Sequence, residues 1–353
     1  MFSKAAVALP LAASLLDQVS ALSFHRHQHA AAAKRDNIID NIVYETVVQT
    51  VYVTAGAGSS PAETAAKAFI QDVKPPTVTV AASEAPAAAP AAQTTLSTAV
   101  KPAATSTGTG KRLGFSKQGL AYNDASLANS FQSKCKGCGW GYNWASNSAG
   151  LDSSLQYIPM LWGDLPVHTS HWDADAEAAI SNGAKALLSF NEPDMPAQAN
   201  MAPAAAAAAH AKYFKAYNGR VQIGSPAVSN SGEGGQGLAW LQQFVDACDA
   251  NSNCHYDFCA VHWYSQAQYA DTLFTHLENA NKICKGKPIW LTEFAPLDTS
   301  DDTISSFLKS TLPKLDSLDY LDAYSYFMVN QPTLMSSNTI LNAVGNAYAA
   351  IAG

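Results

Sequence analysis

The chain has 353 residues, a net charge of −7 and only 14% charged side chains, against about 25% in an average globular protein. Lys and Arg total 21 against 28 Asp and Glu, so the clustered cations that neutralise nucleic-acid phosphates are lacking. No apolar run reaches the ~18 residues that span a bilayer, which excludes membrane insertion, while 48% hydrophobic residues are enough to build a large core.

The N-terminus is built as an address. Lys4, the apolar stretch 5–16 and the small residues Val19-Ser20-Ala21 make a secretory signal peptide over residues 1–21. Lys34-Arg35 is a candidate processing site that would end a propeptide over 22–35. Residues 36–110 are rich in Ala, Thr, Val, Pro and Ser and bury too little to offset their backbone entropy. One short stretch, 47–54, has strand propensity; the composition otherwise suits an O-glycosylated linker. No Asn-x-Ser/Thr sequon occurs, so N-glycans are not expected, and residues 347–353 lack the tail of a lipid anchor. A secreted protein of the cell wall, monomeric, is expected.

From residue 111 to 353 the pattern changes to short apolar runs separated by helical segments. Strands are predicted at 119–123, 139–144, 157–162, 186–191, 221–225, 258–264, 288–294 and 323–329. Helices are predicted at 125–131, 173–181, 203–217, 238–250, 270–281, 301–315 and 339–350, with Pro203 and the alanine run after it favouring the third. Only the link between the second and third strands lacks a helical pattern. Eight strand-and-helix alternations in this length predict an α/β fold, a (β/α)8 TIM barrel. An open doubly wound sheet would suit a nucleotide, but no Gly-x-Gly-x-x-Gly joins a strand to a helix. The glycine-rich run 233–237 reads as a flexible loop of the active face.

In such a barrel the chemistry sits where the strands end. The predicted strand ends carry Asn123, Trp144, Trp162, Asn191-Glu192-Pro193-Asp194, His262-Trp263-Tyr264, Glu293 and Tyr326. Two glutamates lie in a field of Trp, Tyr, Asn and His. Aromatic faces stack on sugar rings and amides bond hydroxyls, so this is the composition of a carbohydrate site. Two carboxylates, one protonated and one ionised, suffice to cleave a glycosidic bond. Pro193 disfavours helical geometry at Glu192, so its carboxylate should project from the rim. Trp144, Trp162 and Trp263 suit either sugar platforms or core packing. His262 and Tyr264 share a face of their strand and are placed to orient Glu293. Asp124 and Asp194 read as loop or cap residues. His168 and His171 lack a third ligand nearby, so neither a metal nor a cofactor is expected. The six cysteines, an even number in a secreted chain, predict disulfides. Local bridges are expected at Cys135–Cys138 and among Cys248, Cys254, Cys259 and Cys284, with the pairing open.

The runs at 119–124, 138–144, 159–163, 188–194, 262–264 and 290–295, among them Leu188-Ser-Phe-Asn-Glu-Pro-Asp and Trp290-Leu-Thr-Glu-Phe-Ala, resemble the fungal branch of glycoside hydrolase family 128. That branch includes the alkali-sensitive linkage proteins of fungal cell walls. The resemblance spans about residues 112–353. It implies a TIM barrel, a retaining mechanism and β-1,3-glucan as substrate, cut endo, with Glu192 as acid/base and Glu293 as nucleophile. Asn123, Trp144, Trp162, Asn191, His262, Trp263, Tyr264 and Tyr326 are the expected substrate-binding residues. A non-catalytic glucan-binding wall protein, or a hydrolase or transglycosylase for β-1,4- or β-1,6-linked glycans, would use the same cleft.

Overall fold

A computed structural model describes residues 113–297 and 299–350. The expected signal peptide, propeptide and linker lie outside the described residues. Eight strands and eight α-helices are described. The strands are β1 (Gln118–Tyr122), β2 (Trp140–Tyr142), β3 (Gln156–Tyr157), β4 (Ala186–Leu187), β5 (Gln222–Ile223), β6 (Cys259–Gln266), β7 (Ile289–Leu297) and β8 (Leu321–Val329). The helices are α1 (Ala125–Gln132), α2 (Pro166–Thr169), α3 (Trp172–Ser181), α4 (Pro203–Phe214), α5 (Gly237–Asp249), α6 (Ala270–Ile283), α7 (Asp301–Ser317) and α8 (Ala343–Ala349).

All pairings between these strands are parallel. Six form a ladder in the order β3-β2-β1-β8-β7-β6, and β4 pairs with β5. Single parallel bridges, Met160 to Leu188 and Gly224 to Phe258, join the two pieces. The sheet therefore closes on itself as a TIM barrel. Strands 3 to 5 are shorter than the runs predicted for them. Pro159 falls inside the third run and Pro226 directly after the fifth, and proline has no N–H to give a ladder.

Three helices begin at capping side chains that their sequences supply. Asp124 caps α1 by accepting from Ser126 N, Ser300 caps α7 through Thr303 N, and Asn342 caps α8 through Gly345 N. The Asn342 cap starts α8 later than predicted, and α4 gives way to a 3-10 turn at Lys215–Tyr217. The β2–β3 connection carries no helix, as predicted. A cleft of about 570 Å³ lies between this loop and α3. The one-turn α2 has no counterpart in the predicted elements.

Two cores result. One lies between sheet and helices. The other fills the lumen with Trp140, Tyr142, Ile158, Met160, Leu188, Phe258 and Trp290. Phe258 stacks on Trp290 at 4.3 Å, Trp290 meets Trp140 at 5.2 Å, and Trp140 stacks on Tyr142 at 5.9 Å. Glycines make room for these rings: a Cβ on Gly119 would lie 2.2 Å from Trp140. The disulfides are Cys135–Cys138, Cys248–Cys254 and Cys259–Cys284. No described helix is long and apolar enough to cross a membrane.

Candidate active site

The aromatic column ends under a polar cluster at the C-terminal mouth of the barrel. Two irregular strands set its geometry. β7 carries one extra residue against both neighbours: Val261 and His262 face Leu291 and Glu293, while Leu291 and Phe294 face Tyr324 and Tyr326. This bulge turns both Thr292 and Glu293 toward the lumen. Plain alternation from the inward Trp290 would send Glu293 outward. β8 has the complementary irregularity, since Leu120 and Tyr122 of β1 face Tyr326 and Val329. Glu192 follows β4 with φ +41°, a left-handed conformation that a side-chain-bearing residue holds only where its surroundings over-determine it. Its N–H donates to Ala227 O at 2.8 Å, and its carbonyl accepts from Met195 N at 3.0 Å.

Glu192 and Glu293 are both at most 1% exposed. A carboxylate oxygen of one lies within 4.8 Å of one of the other. His262, fully buried, joins them. Its Nδ1 is 2.8 Å from Glu192 Oε1, and its Nε2 is 3.0 Å from Thr292 Oγ1 and 3.5 Å from Glu293 Oε1. Glu293 also accepts from Trp144 Nε1 at 2.7 Å and from Tyr264 Oη at 2.5 Å. Burial, reinforced by Glu293, pushes the Tyr264 phenol well above its usual range, so Tyr264 stays a donor. Tyr142, shifted the same way, donates to Thr292 O at 2.9 Å. By distance alone Glu192, His262 and Glu293 are a group that could hold a metal ion. Within this group, His262 Nδ1 and Glu192 Oε1 meet directly in a hydrogen bond.

Of the residues expected to bind substrate, Trp144, His262 and Tyr264 thus join the two glutamates. Asn191 lies beside Glu192, 1% exposed, with its Oδ1 lacking a protein partner. Trp162, half-buried above the lumen core, meets His168 at 5.0 Å between ring centroids. Asn123 is exposed at the end of β1. Two expectations need correction. Trp263 faces away from the lumen, stacked on Phe307 of α7 at 5.8 Å with its Nε1 on Thr272 Oγ1. It follows the alternation that points His262 and Tyr264 inward. Tyr326 is also in the outer core, against Phe294 at 5.5 Å and Tyr348 at 5.8 Å. Its neighbour Phe327 stands at the mouth instead, edge-on to Trp144 at 5.6 Å and Tyr264 at 5.7 Å. Sequence reasoning missed Phe327 and Thr292. No local pattern announces a bulge, although Thr292 sits directly before a singled-out glutamate. Asp194, read as a cap, is one at long range: it accepts from Gly237 N, the first residue of α5, at 2.9 Å.

A closed parallel barrel with two buried, facing glutamates, one after its fourth strand and one within its seventh, defines the class of two-carboxylate glycosidase barrels. The model of the glycosyl hydrolase catalytic core matches residues 119–348. The chain belongs to that family and, within it, to glycoside hydrolase family 128. Alkali-sensitive linkage protein 1 of Schizosaccharomyces pombe is 34% identical over 259 residues, covering 66% of this chain. The chain spans 44% of that relative's length. A curdlan-specific exo-β-1,3-glucanase of Blastomyces gilchristii, solved with glucose, is 41% identical with a TM-score of 0.62, covering 67% of this chain and 98% of its own. An endo-β-1,3-glucanase of Amycolatopsis mediterranei, solved with laminarihexaose, is 28% identical with a TM-score of 0.58, covering 67% and 100%.

Proposed function

We propose that the chain is a secreted retaining glycoside hydrolase that cleaves β-1,3-glucan of the fungal cell wall. The observation that carries this is the pair of buried carboxylates with one oxygen of each within 4.8 Å of the other, which suits the ~5–5.5 Å separation of retaining enzymes better than the ~6.5–9.5 Å that leaves room for an inverting water. Roles follow from the partners. Trp144 and Tyr264 both donate to Glu293, which stabilises negative charge there and suits a nucleophile. Glu192 is the acid/base. Glu293 attacks the anomeric carbon while Glu192 gives its proton to the leaving oxygen. A glycosyl-enzyme ester forms. Glu192 then takes a proton from water, whose oxygen displaces Glu293 and restores the β configuration. Asn191, with its free Oδ1 beside the acid/base, binds a sugar hydroxyl; Trp144, Trp162 and Phe327 form the aromatic walls. The glucanase activities of the two solved relatives support this substrate. Residues 1–21 serve as leader, 22–35 as propeptide and 36–110 as glycosylated linker to a monomeric catalytic domain over 111–353.

The test is product release from linear β-1,3-, β-1,4- and β-1,6-glucans. Activity on β-1,3-glucan should fall at least about 10³-fold in Glu192→Gln and Glu293→Gln. With an aryl β-1,3-glucooligosaccharide and azide, Glu293→Gly should yield the α-azide and Glu192→Ala the β-azide. Binding without turnover on any glucan would overturn the proposal in favour of a glucan-binding wall protein. Single-glucose or mixed oligomer products separate exo from endo action.

A further inference from the structure

We infer that Asp194 is a positioning residue for the acid/base: its buried carboxylate clamps the β5–α5 loop to the end of β4 and holds a second negative charge beside Glu192. The inference rests on the proposed role of Glu192. Asp194 is 7% exposed. It accepts from Ser229 N at 3.2 Å, Ser229 Oγ at 2.5 Å and Gly237 N at 2.9 Å. No cation pairs with it among the described residues. Its three donors come instead from one loop and from the N-terminus of α5, whose dipole favours an anion. The loop is shaped for this grip. Gly237 has φ +54°, and a Cβ there would lie 2.2 Å from Ser231 O, so only glycine brings this N–H to the carboxylate. Ser229 Oγ also accepts from Ser231 N at 3.1 Å.

The sequence Glu192-Pro193-Asp194 thereby puts a second carboxylate two residues from the acid/base, with Pro193 stiffening the link. Burial, then the nearby Glu192, pushes Asp194 up to about 6. The coupling is mutual: an ionised Asp194 makes the proton on Glu192 harder to lose. The other titratable groups facing Glu192 are His262 and Tyr264 of β6, Glu293 of β7 and Tyr142 of β2. Among the described residues, the hydrogen-bond donors to Asp194 from the β5–α5 side are Ser229 and the backbone of Gly237, neither of them charged. At working pH above 6, Asp194 is the charge that retains the acid on Glu192 between turnovers. It touches neither substrate nor reacting atoms.

The experiment is the pH profile of kcat/KM on β-1,3-glucan for the full chain and for Asp194→Asn. Asn keeps the size and one acceptor but not the charge. The alkaline limb, which reports the general acid, should move about 0.5–1 unit toward acid, with kcat/KM lowered by up to about 3–10-fold on that limb and KM nearly unchanged. Ser229→Ala weakens the clamp and keeps the carboxyl, which loses a bond that favours its ionised form, so its alkaline limb should move less than that of Asp194→Asn. Carboxyl ¹³C NMR gives the same answer without turnover. The Glu192 resonance, assigned by its loss in Glu192→Gln, should titrate at lower pH in Asp194→Asn than in the wild type. An unshifted Glu192 titration, or an equal shift in Ser229→Ala, overturns the inference. An inactive wild-type chain overturns the glucanase reading alone, since the NMR titration still decides the role of Asp194.

Discussion

Trp144 after β2 and Tyr264 on β6 donate to Glu293 from different strands. Each hydrogen bond to a charged group is worth about 1.5–3 kcal/mol. Trp144→Phe and Tyr264→Phe should therefore each lower kcat on β-1,3-glucan about 10–100-fold, with a smaller change in KM. The double variant tests cooperation: because both donors serve one carboxylate, its loss should differ from the product of the single losses. Steady-state kinetics of the four proteins checks this. Glu192 is placed by its backbone as well as by His262, whose Nδ1 lies 2.8 Å from Oε1. Its left-handed φ and the Glu192 N to Ala227 O bond aim the carboxylate, and Pro193 works through the backbone it restricts.

At the scale of elements, the barrel is held open by small residues and filled by large ones. Gly119 sits against the face of Trp140, whose Nε1 donates to Lys117 O at 3.0 Å. The indole is wedged among Phe115, Tyr142 and Trp290 and has nowhere to retreat. Gly119→Ala should cost about 1–3 kcal/mol by overpacking and lower Tm by roughly 2–10 °C for a domain of this size; calorimetry measures it. The bulges in β7 and β8 show the same economy of position. One inserted residue in each strand reassigns a side chain from the outer core to the active mouth, Glu293 in one case and Phe327 in the other. This is why Tyr326, in register with the apolar face, packs in the outer core rather than at the mouth.

For the molecule as a whole, acid should act through a buried imidazole. His210 is fully buried, with Nδ1 2.9 Å from Ser189 Oγ and Nε2 2.8 Å from His255 O. Both nitrogens are satisfied in the neutral ring, and burial holds its pKa down at about 4. The unfolded chain takes up this proton near pH 6.5 and the folded chain only near 4. Stability that is full above pH 6.5 is therefore lost as the pH falls to about 4, on the order of 3 kcal/mol. Asp194, raised when folded, opposes this by losing stability as the pH rises through 6. Urea unfolding at pH 7 and pH 4.5 should show the wild type weaker in acid, and His210→Gln should narrow the difference, with His276, held down to about 4 by burial as well, carrying the rest.

Local chemistry carried a large part of this protein in plain view. Apolar runs, proline and alanine placement and cap residues announced the eight strands and most helices, because each depends on neighbours in the chain. The gap between β2 and β3 was legible for the same reason. Glu192 and Glu293 were legible because few residue types can do their chemistry and both close apolar runs. Which side chains face the lumen was not a local property. Alternation worked for His262 and Tyr264 and could have excluded Trp263, but it would have turned Glu293 away from the site. The bulges exist because strands of a closed barrel must fit both neighbours at once, and only the assembled sheet imposes that condition. The disulfide pairing and the grip of Asp194 on a loop more than thirty residues away depend likewise on distances through space, which the order of residues along the chain does not contain.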